Sequence, residues 1–289
     1  MKALRKRIHF YESYLSFDPG HYYSPIVEPS EYLEQQSKAT ASERYLPIEI
    51  DFNEMEQLNL LNQFVKYYPE FPFLNDSKSL RFTINNVFFT FSDALALYNM
   101  LREKKPQRVV EIGSGFSSAL MLDVNERFFN NGIEFTFIDP SPERLEANLK
   151  ENERVFIIKE KVQDIDISVF KTLESGDFLM IDTSHVSKSG SDVNHIYFNI
   201  LPNLNSGVII HIHDIFFPFE YPEQWILKEN RSWNELFLLR AYLAYNTNFK
   251  IIYFNSFLEK KYRQFFEDKM PLSLTKGSTI CGGIWIDKI

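Results

Sequence analysis

The stretch RVVEIGSGFSS, Arg108 to Ser118, decides the fold of this chain. Val109, Val110 and Ile112 are β-branched and apolar, and they run directly into Gly113, Ser114 and Gly115. The residues that follow, 117–129, carry apolar side chains at helical spacing. This is the pattern of a buried strand, a tight glycine turn and a helix. Glycines at such a turn allow positive φ and a close approach of backbone to ligand, and the first N–H groups of the helix face whatever polar group sits there. The expected result is a nucleotide-type pocket at the carboxyl end of a first strand.

The continuation strengthens that reading. A dinucleotide fingerprint would place a third glycine where Ser118 stands, so the glycine pattern alone is incomplete. About twenty residues on, however, a second apolar strand over 133–138 ends in Asp139-Pro140, and an acidic group there is placed to bind both hydroxyls of a ribose.

Outward from this unit, strands and helices alternate. Strands are expected over 154–158, 177–182 and 207–213, with helices over 142–150, 168–173 and 190–200 between them. A helix over 233–245 and two further strands, 250–254 and 278–286, complete the count. Alternation of this kind means parallel strands joined by right-handed crossovers, so the expected fold is α/β, Rossmann-like and doubly wound. Upstream, residues 54–68 read as an amphipathic helix, 82–91 as a hairpin or edge strand, and 92–102 as a helix with Ser92 as N-cap. The economical division is an N-terminal extension, lid and helical cover over 1–80 and one catalytic domain over 81–289.

Composition excludes several classes. A net charge of −8 argues against nucleic acid as a partner, because phosphate binding draws on a basic surface. The cluster Lys2, Arg5, Lys6 and Arg7 is the exception and reads as a solvated face. No apolar run reaches the length of a membrane span and none resembles a signal peptide, so a cytoplasmic protein is expected. The lone Cys281 excludes an internal disulfide and a cysteine metal site. A hydrophobic fraction of 44%, with 28 Phe, supplies a large core and leaves no room for a disordered class. Self-association into a homo-oligomer stays open.

The chemistry should lie where the fourth and fifth strands end. The fourth closes with Asp182, three residues before His185, and the fifth with His213-Asp214. Carboxyl ends of adjacent central strands face one crevice, so these four side chains should converge near the ligand held at Gly113. His211 is expected on the opposite sheet face, in a polar contact.

Glu111-Ile-Gly113-Ser-Gly115, Ile138-Asp139-Pro140, and the stretches DFLMIDTSHVSKSGSDVN and SGVIIHIHDIFFPFEYP together resemble the class I S-adenosylmethionine-dependent methyltransferases, in the branch that modifies hydroxyls of small molecules and sugars. The resemblance covers roughly residues 80–289. It implies a seven-stranded sheet whose last strand is antiparallel, and S-adenosylmethionine as cofactor, held by Glu111, Gly113, Ser114, Gly115, Asp139 and Asp182, with Gln163 and Asp164 at the adenine. The acceptor would be a small hydroxylated molecule. A hydroxyl is a weak nucleophile until its proton is removed, and histidine is the natural base near neutrality. The resemblance gives that place to His185, with Asp182 and Asp214 beside it.

It also implies a divalent metal on Asp182, His213 and Asp214. Here the chain departs from its relatives, which present oxygen where His213 stands; Mg²⁺ prefers oxygen, and imidazole suits transition metals. Either the metal is not magnesium, or His213 orients a neighbour, or no metal binds. Acceptor contacts are expected from His21, Tyr22 and Tyr23, in a loop suited to close over a hydroxylated ligand, from His185, and from Phe217 and Tyr221 in the proline-rich loop after the fifth strand. Two other classes use the same fold: a nicotinamide-dependent oxidoreductase, disfavoured by the missing third glycine, and a non-catalytic binding module.

Overall fold

A computed structural model of the chain describes residues 16–38, 46–74, 79–86, 88–89, 91–151, 153–275 and 281–289. The basic cluster at residues 2–7 lies outside them. In chain order the elements begin with helices α1 (Pro29–Lys38), α2 (Glu54–Phe64) and α3 (Phe91–Lys104). Next come β1 (Arg108–Ile112), α4 (Phe116–Phe128), β2 (Glu134–Ile138), α5 (Glu143–Glu146), β3 (Val155–Ile158), β4 (Phe178–Ile181), α6 (Asp192–His195) and β5 (Ile209–His213). The chain ends with α7 (Glu223–Leu227), α8 (Glu235–Leu243), β6 (Phe249–Phe254), α9 (Asn255–Lys261), α10 (Arg263–Lys269) and β7 (Gly283–Lys288).

The strands form one seven-stranded sheet in the order β3-β2-β1-β4-β5-β7-β6. All neighbours from β3 to β5 are parallel, and β7 runs antiparallel between β5 and β6. The chain therefore has the doubly wound Rossmann-like fold. Strand order reverses between β1 and β4, which puts a crevice at their carboxyl ends. β4 is wholly apolar and β1 carries two charged residues, Arg108 at its start and the buried Glu111; Val109, Ile112, Leu179 and Ile181 are each 4% exposed or less, as strands covered on both faces must be.

Two compact units divide the chain: Pro47–Glu220 with Asn234–Ile289, which holds the sheet, and Met1–Leu46 with Tyr221–Trp233. In the larger unit, α2 is joined to the end of β6 through buried Gln57, whose Oε1 accepts from the Phe254 amide at 2.8 Å. In the smaller unit, Tyr221, Trp225 and Trp233 pack ring to ring, and the Arg231 guanidinium lies 4.0 Å from the Trp225 ring.

The expected hairpin over 82–91 is absent among the described residues. Its backbone groups are taken by side chains. The Arg81 and Phe82 amides donate to Asp123 on α4 at 2.7 and 2.8 Å. The Asn86 side chain receives the Phe88 and Phe89 amides and donates to the Thr83 and Phe89 carbonyls. A backbone satisfied locally in this way has no ladder to offer. The Arg81 side chain is itself buried and paired with Asp123 and Glu153 at 2.7 and 2.5 Å, which fixes this segment to α4. Ser92 is also not a cap, since α3 begins at Phe91 and the Ser92 hydroxyl is buried against Glu259.

Candidate active site

The glycine turn has the geometry its residues predict. Gly113 sits at φ 82°, and a Cβ there would stand 1.9 Å from the Asp182 carbonyl oxygen, so no other residue fits. Gly115 is extended and meets only the Arg144 guanidinium, at 3.8 Å. Asp139 reaches across to the turn: one carboxylate oxygen accepts from the Ser114 amide and hydroxyl at 2.9 and 2.7 Å, and the other from the Ser141 amide at 2.8 Å.

Beside the turn lies a cleft of about 380 Å³ at the carboxyl ends of β1, β2 and β4. Gly113, Ile138, Pro140, Gln163, Asp182 and Lys188 line it, while Asp139, turned to Ser114 and Ser141, is not among its lining residues. Gln163 is tied to the Gly190 carbonyl at 3.0 Å. Asp164 is exposed and does not line the cleft. Glu111 faces away from it. Its buried carboxyl accepts from the Ser117 and Ser118 hydroxyls, fixing the first turn of α4, and burial pushes it up to about 8 against those two bonds.

At the ends of β4 and β5 the structure brings together the residues expected there. The buried His185 imidazole has Nε2 at 3.3 Å from Asp182 and 3.5 Å from Asp214. On its other side Nδ1 is 2.8 Å from Glu235. Burial opposes a charge on this ring, but the hydrogen bonds to Asp182 and Glu235 prevail and raise it to about 10. For Asp182 burial pushes upward, while His185 and His213 hold the carboxyl down at about 2. Asp182 is 49% exposed, so water screens part of that pairing. His185 and Asp214 both adopt φ of 56°, a left-handed conformation that costs about 1 kcal/mol or more for a side-chain-bearing residue. Asp182 joins the two regions, because it lines the cleft and pairs with His185.

His211 does not take the opposite face. Residues two apart on a strand point the same way. The His211 and His213 rings accordingly lie 5.8 Å apart, with His211 against Trp285 at 4.5 Å. His213 is 3.6 Å from Asp214 through Nε2.

A divalent ion on Asp182, His213 and Asp214 does not fit this arrangement. Among the described residues no group of three His, Cys, Asp or Glu is set to hold a metal. The point on which the Asp182 and Asp214 carboxylates converge is taken by the Nε2 of His185, a donor in place of a cation.

The expected acceptor residues fall in both units. Phe217 packs away from the cleft, 5.7 Å from Phe52 and 5.2 Å from Phe257, covering the sheet edge. His21, Tyr22 and Tyr23 belong to the smaller unit, where their rings stack on one another with centroids 4.2 to 5.6 Å apart. Tyr22 and Tyr23 are exposed, whereas Tyr221 of the same unit is buried against its two tryptophans.

Two residues of the site escaped the sequence. Glu235 is fully buried, fifty positions after the histidine it touches, and it looks in sequence like an ordinary acidic residue in a first helical turn. Asn234 holds the adjoining loop, accepting the Ser187 amide at 2.6 Å. Neither carries a local signal.

Residues 110–215 match a family model described as a methyltransferase domain. The chain is 39% identical over 168 residues to an uncharacterised protein of Archaeoglobus fulgidus, covering 55% of this chain and 74% of that protein. Among solved structures it resembles the O-methyltransferase TomG of Streptomyces achromogenes, involved in tomaymycin synthesis, at 12% identity and a TM-score of 0.44 over 86% of this chain and 99% of that one. It also resembles an O-methyltransferase from Bacillus cereus, at 12% identity and a TM-score of 0.42 over 91% and 100%.

Proposed function

We propose that the chain, whose residues 110–215 match a methyltransferase-domain model, is a class I S-adenosylmethionine-dependent methyltransferase that methylates a hydroxyl of a small acceptor, a sugar or glycoside, with His185 as general base. The observation that carries the reading is the double role of Asp182, which lines the cleft together with Gly113 and also pairs with His185. A donor whose ribose lies at Asp139 and whose sulfonium lies near Asp182 would present its methyl group beside that histidine. The S–CH₃ bond breaks as the O–CH₃ bond forms, and the hydroxyl proton passes to Nε2 of the neutral ring, the form in which Nδ1 alone carries a proton. Gln163 serves the adenine end. Acceptor selection is assigned to the N-terminal residues 1–80, where the exposed Tyr22 and Tyr23 offer faces of the kind that stack on sugar rings. No helix of the described residues is long and apolar enough to cross a membrane, and we assign the protein to the cytoplasm.

One observation favours a second course for the proton. His185 faces three carboxylates and holds its own proton to about pH 10, so its neutral, basic form is scarce at pH 7. Asp182 or Asp214 could instead take the acceptor's proton late, when methylation has made the oxygen strongly acidic. The pH profile of transfer from labelled donor to a panel of methyl glycosides separates the two. If His185 is the base, kcat/KM rises with pH towards about 10 in the wild type. Asp182→Asn removes a bond that favours the charged ring, and the midpoint then moves to lower pH. A profile flat from neutrality upward, and unmoved by Asp182→Asn, assigns the proton to a carboxylate.

A further inference from the structure

We propose that Glu235 is the positioning residue of this site, accepting the Nδ1–H of His185 and fixing the ring with Nε2 turned to Asp182 and Asp214. The proposal rests on the reading of His185 as the group that meets the acceptor's hydroxyl.

The geometry holds the histidine at both ring and backbone. Glu235 Oε2 lies 2.8 Å from Nδ1, and the Asn234 and Glu235 amides both donate to the His185 carbonyl at 3.1 Å. Asn234 adds a reciprocal pair with Ser187, receiving its amide at 2.6 Å and donating to its carbonyl at 3.2 Å. Asn234 and Glu235, at the start of α8, thus grip the loop 185–187 through five hydrogen bonds. A residue at φ 56° needs such restraint, since the conformation is unfavourable for histidine left to itself.

Glu235 is poorly explained as a device for stability. It is fully buried, and its second oxygen, Oε1, has no hydrogen-bond partner. A buried carboxylate pays a desolvation penalty that an apolar side chain of similar size avoids, and buried ion pairs are often replaced by such residues with no loss of stability. What an apolar residue cannot do is choose between the two ring nitrogens. Imidazole can turn over about its Cβ–Cγ bond, exchanging the positions presented to Asp182 and Asp214, and only a directional acceptor on Nδ1 fixes one orientation. The arrangement resembles the use of a carboxylate behind a histidine in other catalytic sites, where it fixes tautomer and direction.

The test reads the ring itself and needs no acceptor. Proton and nitrogen spectra of histidine-labelled full-length protein are recorded for the wild type, Glu235→Asp and Glu235→Gln, with His185→Asn to assign the resonance. Titration with S-adenosylhomocysteine checks that each variant is folded. The expected result is a protonated Nδ1 on His185 in the wild type, far downfield and slow to exchange. That proton is retained in Glu235→Asp and shifts upfield in Glu235→Gln, with S-adenosylhomocysteine affinity unchanged throughout. A His185 Nδ1 without a proton in the wild type, or a resonance that Glu235→Gln does not move, overturns the proposal. If the wild type fails to bind S-adenosylhomocysteine, the donor reading falls, while the spectra still decide the role of Glu235.

Discussion

The ends of β1 and β2 are shaped by backbone, and the ends of β4 and β5 by charge. At the first pair the decisive features are a positive φ at Gly113, a close approach to the Asp182 carbonyl, and a carboxylate, Asp139, held by amides and a hydroxyl. At the second pair three carboxylates surround one buried imidazole. The first arrangement sets a shape for a ligand to enter, and it tolerates little change in volume. The second sets the protonation of a reacting group, and it tolerates little change in charge. Asp182 belongs to both, which couples the shape of one to the electrostatics of the other.

The comparison can be broken most sharply at the histidine. His185→Asn keeps a side chain that can bond Glu235 but removes the base, so transfer should fall about 10²- to 10⁴-fold with S-adenosylhomocysteine affinity unchanged. Loss of ligand affinity along with turnover would mean that the two regions are not separable. Gly113→Ala should act in the opposite sense. Its Cβ would meet the Asp182 carbonyl at 1.9 Å in a left-handed conformation, a cost on the order of 3 kcal/mol or more in unfolding experiments. Ligand affinity should be lost even where the protein remains folded.

The smallest expected effect is at Glu111. Burial pushes its carboxyl up to about 8, so at pH 7 it is mostly protonated and Glu111→Gln should change stability by less than about 1 kcal/mol. The dependence on pH is more telling. A carboxyl raised on folding contributes stability that is whole below the ordinary carboxyl range and is lost as pH rises through its folded value. Wild-type protein should therefore lose stability between about pH 5 and 8, and Glu111→Gln should lose less over the same interval in thermal melts. Parallel curves would show that Glu111 is ionised at neutrality.

Much of the sheet was legible because its signals are local. β1, β2 and β3 begin and end within a residue of the expected bounds; the apolar runs of β1 and β2 are closed by Gly113 and by Asp139-Pro140, and that of β3 by the charged Lys159-Glu160, which leaves little freedom. The segment 82–91 misled because its aromatic alternation suggests a ladder, while Asp123 and Asn86, one of them forty residues away, satisfy its backbone instead. In the site, Asp182, His185 and Asp214 could be found because strand ends carry them to one edge. Phe217 was placed in an acceptor wall on composition alone, and its contacts with Phe52 and Phe257 depend on packing that no local pattern records. Glu235 was invisible for the same reason: its meaning lies in a contact fifty residues distant.

The most direct test of the account is calorimetric titration of S-adenosylhomocysteine into wild-type protein and Asp139→Asn. The cleft beside Gly113 should bind the ligand with micromolar affinity, and loss of the Asp139 charge should weaken binding about tenfold or more, the worth of charge-assisted bonds to two ribose hydroxyls. Absence of binding in the wild type, or equal affinity in the two proteins, would contradict the placement of the donor at the ends of β1 and β2.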